Sequence, residues 1–213
     1  MNSVVSIEKV TKKFRDITVL NNVSLEIESG IVMGLVGRNG SGKTVLMKCI
    51  CGLLSPTSGS ITVQGHRIGK DVDIPDNIGV IIENPGFLPN FSGYNNLIQL
   101  AKIRRKIGKS EVRAAIQRVG LNPDDKKHVG KYSLGMRQRL GLAQAIMEDP
   151  DILILDEPLN GLDKDGVKDM RQFLLGLKEQ GKTLLIASHS TEDIDVLCDT
   201  VCEMDKGVLS IVR

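Results

Sequence analysis

The chain has 213 residues, enough for one sizeable hydrophobic core or for one core with a small subdomain. Hydrophobic residues make up 41% and charged residues 25%, as in an ordinary globular domain, and 28 basic against 26 acidic side chains leave a charge of only +2. That balance provides no strong field for nucleic acid or anionic lipid, and an aromatic content of 3% without Trp disfavours a base-stacking surface.

Apolar runs stop well short of the roughly 20 residues that cross a bilayer, so no direct membrane insertion is expected. Met1 to Lys9 lacks a signal-peptide pattern. The cysteines, Cys49, Cys51, Cys198 and Cys202, do not have zinc-site spacing and are read as small buried apolar residues.

In chain order, Val4 to Val10, Asn22 to Ile27 and Ile31 to Val36 read as strands, followed by a helix from Gly42. On that helix Leu46, Cys49, Ile50 and Leu53 fall on one face. Ser60 to Gln64 and Gly79 to Ile82 read as further strands. Residues 86–147 are mostly helical, with helices around Gly93, at Ser110 and at Gly135. Strands return at Ile152 to Leu155, Thr183 to Ala187, Val201 to Met204 and Val208 to Val212, with helices near Asp165 and at Thr191. Val167, Met170, Leu174 and Leu177 form the apolar stripe of the former. The continuously apolar runs Ile152–Leu155 and Leu184–Ala187 suit central parallel strands covered on both faces. The whole is expected to be one α/β domain: residues 1–85 and 148–213 a core with an antiparallel β portion, and 86–147 an inserted α-helical subdomain.

The segment Gly37-Arg38-Asn39-Gly40-Ser41-Gly42-Lys43-Thr44 matches G-x-x-x-x-G-K-[ST] in full and lies between an apolar strand and a helix, the context this motif requires. Glycines let backbone N–H groups turn inward around phosphate oxygens, and the helix N-terminus adds partial positive charge. Residues 37–44 are therefore expected to bind ATP, with Lys43 on the β- and γ-phosphates and Thr44 on Mg²⁺. Asp151-Ile-Leu-Ile-Leu-Asp156-Glu157 is a buried strand delivering carboxylates to its C-terminal edge. Asp156 is placed to hold Mg²⁺, and Glu157 to orient or deprotonate the attacking water.

Between these segments stands Tyr132-Ser-Leu-Gly-Met-Arg-Gln-Arg-Leu, and after them come Pro158-Leu-Asn-Gly-Leu-Asp163 and Ser188-His189. This order resembles the nucleotide-binding subunit of ABC transporters over essentially the whole chain. The resemblance implies a P-loop NTPase fold with a RecA-like core and two subunits packed head to tail. In it Ser133, Gly135 and Met136 form the signature segment acting in trans on the partner's ATP. His189 contacts the γ-phosphate, Asp163 belongs to the loop crossing the dimer interface, and Phe14 stacks on adenine.

Two departures stand out. The usual Leu-Ser-Gly-Gly-Gln signature is here Tyr132-Ser-Leu-Gly-Met136, and Glu83 replaces the Gln that usually follows the fifth strand read above. Both segments resemble the branch that exports bacitracin and lantibiotics. Glu83 is a third candidate oxygen ligand for Mg²⁺.

The resemblance implies an ATPase on the cytoplasmic face of a membrane, attached through a separate transmembrane permease and coupled to export. A soluble ABC-type ATPase uncoupled from transport and an ATP-binding regulatory switch are the alternatives, and Glu157 argues against the switch.

Overall fold

The computed structural model describes residues 3–83 and 85–213. Met1, Asn2 and Asn84 lie outside them, so the Glu83–Phe87 turn is described without its second residue. The strands are β1 (Ser3–Phe14), β2 (Ile17–Glu28), β3 (Val32–Val36), β4 (Ser58–Val63), β5 (His66–Arg67), β6 (Ile78–Ile81), β7 (Ile152–Asp156), β8 (Thr183–Ala187), β9 (Thr200–Asp205) and β10 (Val208–Ile211). The helices are α1 (Lys43–Ile50), α2 (Gly93–Arg104), α3 (Lys109–Arg118), α4 (Leu134–Ile146), α5 (Lys164–Glu179) and α6 (Thr191–Leu197).

Two sheets form. An antiparallel one has the order β2-β1-β4-β5, and the larger one has the order β10-β9-β3-β8-β7-β6. In the larger sheet β9, β3, β8, β7 and β6 run parallel, and β10 returns antiparallel to β9. Its central strands are apolar on both faces because each face meets a separate core. Leu153, Leu155, Leu184 and Ile186 pack among residues of α2 to α5, such as Leu97, Ile116, Leu140 and Met170. The alternate residues Ile154, Leu185 and Ala187 pack with Leu46, Met47 and Ile50 of α1 and with Val5, Ile7 and Ile61 of the antiparallel sheet. The period-2 alternation of a strand feeds the two cores in turn.

This order lines up the carboxyl ends of β3, β8, β7 and β6, which are successive neighbours. Open parallel sheets bind ligands along that edge. The Gly37–Thr44 loop follows β3, His189 follows β8, Asp156 and Glu157 end β7, and Glu83 follows β6. Four segments far apart in sequence thus meet at one place.

Some boundaries differ from the sequence reading. The first two strands are longer and form a hairpin, and their polar ends are solvent-exposed ladder residues without an apolar signature. The two-residue β5 has none either. Helix α1 stops at Ile50, so Leu53 does not share the face of Leu46, Cys49 and Ile50: those three are fully buried and Leu53 is 57% exposed. Gly52, at φ 74 and with the Asp73 carbonyl where a Cβ would sit, turns the chain away.

Candidate functional site

The phosphate loop owes its shape to two glycines. Gly37 has φ 144, and a Cβ there would sit 2.2 Å from the Met204 carbonyl oxygen. Gly42 has φ 115, and its Cβ would meet Val19 O at 2.9 Å. Neither position admits an ordinary L side chain. Helix α1 then begins without a side-chain cap and without an acid in its first turn. Its first N–H groups are left for an anion.

Lys43 Nζ folds back onto the loop, donating to Gly37 O at 2.6 Å and Arg38 O at 3.1 Å. Burial lowers its pKa from the ordinary lysine value, against the pull of Asp156 and Glu157. Thr44 Oγ1 donates to Asp156 Oδ2 at 2.8 Å, so the two expected metal ligands are already in contact. Among the described residues no group of three or more His, Cys, Asp or Glu is arranged to hold a metal. A hydroxyl beside one carboxylate is instead the kind of hard-oxygen set that holds Mg²⁺ together with substrate phosphates.

Glu157 occupies left-handed backbone at φ 50, an uncommon conformation for a residue with a side chain. Three hydrogen bonds hold it there: its N–H donates to Ala187 O at 2.9 Å, and its carbonyl accepts from Gln138 Nε2 at 3.0 Å and from Asn160 N at 3.1 Å. Its Oε1 is buried without a hydrogen-bond donor, and His189 Nε2 approaches that atom only to 3.4 Å. Burial pushes its carboxyl above the usual carboxylate range, the nearby His189 opposing. Ser41 Oγ is a second buried oxygen without a partner. A nucleotide phosphate and its attacking water would give these groups the partners they lack.

Asn39 to Thr44, Asp156, Glu157, His189 and Glu83 line one cleft of about 420 Å³. Gly37 and Arg38 border the adjoining cleft toward α6. Phe14 does not line the phosphate cleft. It lies at the tip of the β1–β2 hairpin, 43% exposed, with Lys12 Nζ 5.1 Å from its ring centre. Glu83, at φ 59, turns its carboxylate to Lys48 Nζ at 2.8 Å on α1 and not to Thr44 or Asp156. Ser133 caps α4 by accepting from Met136 N at 3.1 Å, and Asp163 caps α5 by accepting from Gly166 N at 3.0 Å. Ser133, Gly135, Met136 and Asp163 stand outside the cleft of their own chain.

The model of the ABC transporter family matches residues 20–160. The chain belongs to that family. It is 43% identical to the bacitracin transport ATP-binding protein BcrA of Enterococcus faecalis, over 98% of this chain and 68% of that protein. It is 38% identical to the lantibiotic transport ATP-binding protein SrtF of Streptococcus pyogenes, over 99% of this chain and 90% of that one. The dimeric structure of MJ0796, a bacterial ABC transporter cassette, superposes with a TM-score of 0.87 at 23% identity, covering 98% of this chain and 99% of that one, and shows the fold. This ABC chain is accordingly an ATPase.

The sequence reading missed Gln138, Val19, Val45, Leu134 and Asn160, which also line the cleft of this ABC ATPase. Gln138 carried a signal. It falls at the same helical spacing as Gly141, Leu142 and Ala145, all buried, so it is a polar residue on the apolar stripe of α4. Such a residue needs an internal partner, here the Glu157 carbonyl. Val19, Val45, Leu134 and Asn160 carried none.

Proposed function

We propose that this chain is the ATP-hydrolysing subunit of a transporter that exports an antibiotic or antimicrobial peptide, acting as a head-to-tail pair and driving a separately encoded permease. The observation that carries the reading is the convergence of Lys43, Thr44, Asp156, Glu157 and His189 in one cleft at the carboxyl edge of the sheet.

In this reading the amides of residues 39–44 and Lys43 hold the phosphates, and Thr44 with Asp156 would hold Mg²⁺. When bound, the ion supplies charge neutralisation to the phosphates. Glu157 orients the attacking water and takes its proton, and His189 fixes the γ-phosphate from the neighbouring strand end. The similarity to bacitracin and lantibiotic transport proteins supports the cargo class.

Among the described residues no helix is long and apolar enough to cross a membrane, so in this reading a membrane partner supplies the path. An apolar groove of about 290 Å³ supports such a partner. It is lined by Leu53, Ile74, Leu100, Ile103 and Met147, and Leu53, Ile74 and Ile103 are 57%, 59% and 76% exposed. Clustered exposed apolar side chains mark interaction surfaces. The test is co-expression with the permease: the chain is expected to pellet with membranes only when the permease is present. Leu53→Asp is expected to abolish pelleting and to leave the ATPase of the isolated chain unchanged. Pelleting without any permease would contradict the reading.

Glu83 belongs to the coupling of the two subunits in this proposal. Its half-exposed ion pair with Lys48 is worth at most about 1 kcal/mol. Glu83→Gln is therefore expected to leave the ATPase of the isolated chain within about threefold. Peptide resistance of cells carrying the same variant is expected to fall further than the rate does. Equal losses in the two assays would assign Glu83 to the metal site instead.

A further inference from the structure

His189 sits on an exposed turn after β8, with a side chain 48% exposed. The residues on either side of it are anchored. Ser188 is buried, and its Oγ accepts from Ser190 N at 3.1 Å and donates to Asp193 Oδ2 at 3.4 Å. Ser190 Oγ caps α6 by accepting from Asp193 N at 3.2 Å. Asp193 therefore ties both neighbours of His189.

Asp193 is itself 6% exposed, and its other carboxylate oxygen accepts from Arg171 Nε at 2.7 Å. Arg171 Nη2 donates to the same oxygen, and Nη1 donates to Glu192 Oε1 at 2.6 Å. Arg171 comes from α5, the helix that Asp163 begins.

Helix capping alone does not account for this arrangement. An acid at the third position of a helix ordinarily closes a capping box by accepting the N–H of the cap residue. Here the N–H of Ser190 goes to Ser188, and the Asp193 carboxylate turns to Ser188 and to another helix. Stability alone does not account for it either, because a buried ion pair gains little over an apolar pair of similar volume.

We propose that Arg171 and Asp193 are positioning residues for His189, a charged clamp that fixes the His189 turn to α5 and carries displacements of the Asp163 loop to the imidazole. The inference rests on the reading that His189 acts at the γ-phosphate.

The test is a double-mutant cycle in ATPase assays. Asp193→Asn is expected to lower kcat roughly tenfold with KM for ATP within about twofold, the cost of a misplaced group. In a His189→Ala background the same substitution is expected to change kcat less than twofold, because there is no imidazole left to place. Arg171→Met combined with Asp193→Leu leaves no unpaired buried charge and keeps the experiment informative if Asp193→Asn alone is unstable. It is expected to show the same kcat loss with Tm lowered by only a few degrees, the cost of the buried Ser188 hydroxyl that loses its acceptor.

A full additional loss in the His189→Ala background would overturn the inference, and so would normal turnover of the Asp193→Asn and double variants beside a slow His189→Ala chain. Unimpaired turnover of His189→Ala would instead overturn the underlying reading of His189, and the clamp with it.

Discussion

Replacing Glu157 with glutamine is expected to lower ATP turnover by roughly 10²-fold or more, the size of a general-base contribution. ATP affinity is expected to stay within a few-fold, because the phosphates are held by other groups. The backbone of Glu157 is pinned at φ 50 by the Ala187 carbonyl, the Gln138 amide and the Asn160 N–H, and none of these contacts involves its carboxylate. The substitution therefore changes the proton-accepting atom and leaves its position alone. It also exchanges a buried carboxylate oxygen that lacks a donor for a neutral group, so folding stability is expected to hold or rise. With hydrolysis blocked, the chain is expected to collect as an ATP-bound dimer. Steady-state ATPase, nucleotide titration and size-exclusion chromatography in ATP measure the three effects. Turnover near the unsubstituted rate would remove Glu157 from the role of base.

The parts of this site that the sequence made legible are those in which a short segment carries its own geometry. Strand, glycine loop and helix from Ile31 to Ile50 are contiguous, and each glycine needed for backbone shape is visible as a letter. The apolar run before Asp156 likewise declares a buried strand and the carboxylate at its end. Ser133 as a helix cap was readable for the same reason.

What stayed hidden depends on partners distant in the chain. The sheet order that sets β8 between β3 and β7 is decided by packing on both faces, and no local pattern encodes it. Glu83 was readable as an unusual acid, but Lys48, its partner 35 positions earlier, was not. Arg171 and Asp193 look like ordinary charges on amphipathic helices until α5 and α6 are seen side by side. Phe14 was expected over a ring, and the chain alone shows it under the Lys12 ammonium.

Mixing two inactive variants is expected to restore activity if each site is built from two chains. In one chain Ser133, Gly135 and Met136 at the N-terminus of α4 do not line the phosphate cleft, although Leu134 does, and the first turn of the helix carries no acid. A free helix N-terminus of this kind favours an anion, and a head-to-tail pair supplies one in the partner's γ-phosphate. In the proposed reading, Lys43→Ala removes the cation that holds the phosphates. For the second variant Gly135 is a poor choice, since a Cβ there would press to 3.1 Å on Gly161 O and disturb the adjoining loop.

Ser133→Asp is better. Aspartate caps a helix as well as serine does, so the fold is retained, while a full negative charge now faces the γ-phosphate. Each variant alone is expected to lose at least about tenfold in turnover, because both sites of each pair carry the lesion. In a mixed pair one site carries both lesions and the other carries neither. Random exchange makes half of the pairs mixed, so about one quarter of the original number of sites is restored. Single-turnover hydrolysis reads those sites even when steady-state cycling needs both. Mixed pairs demonstrated by differential tagging, yet no more active than the separate variants, would contradict a site shared between chains.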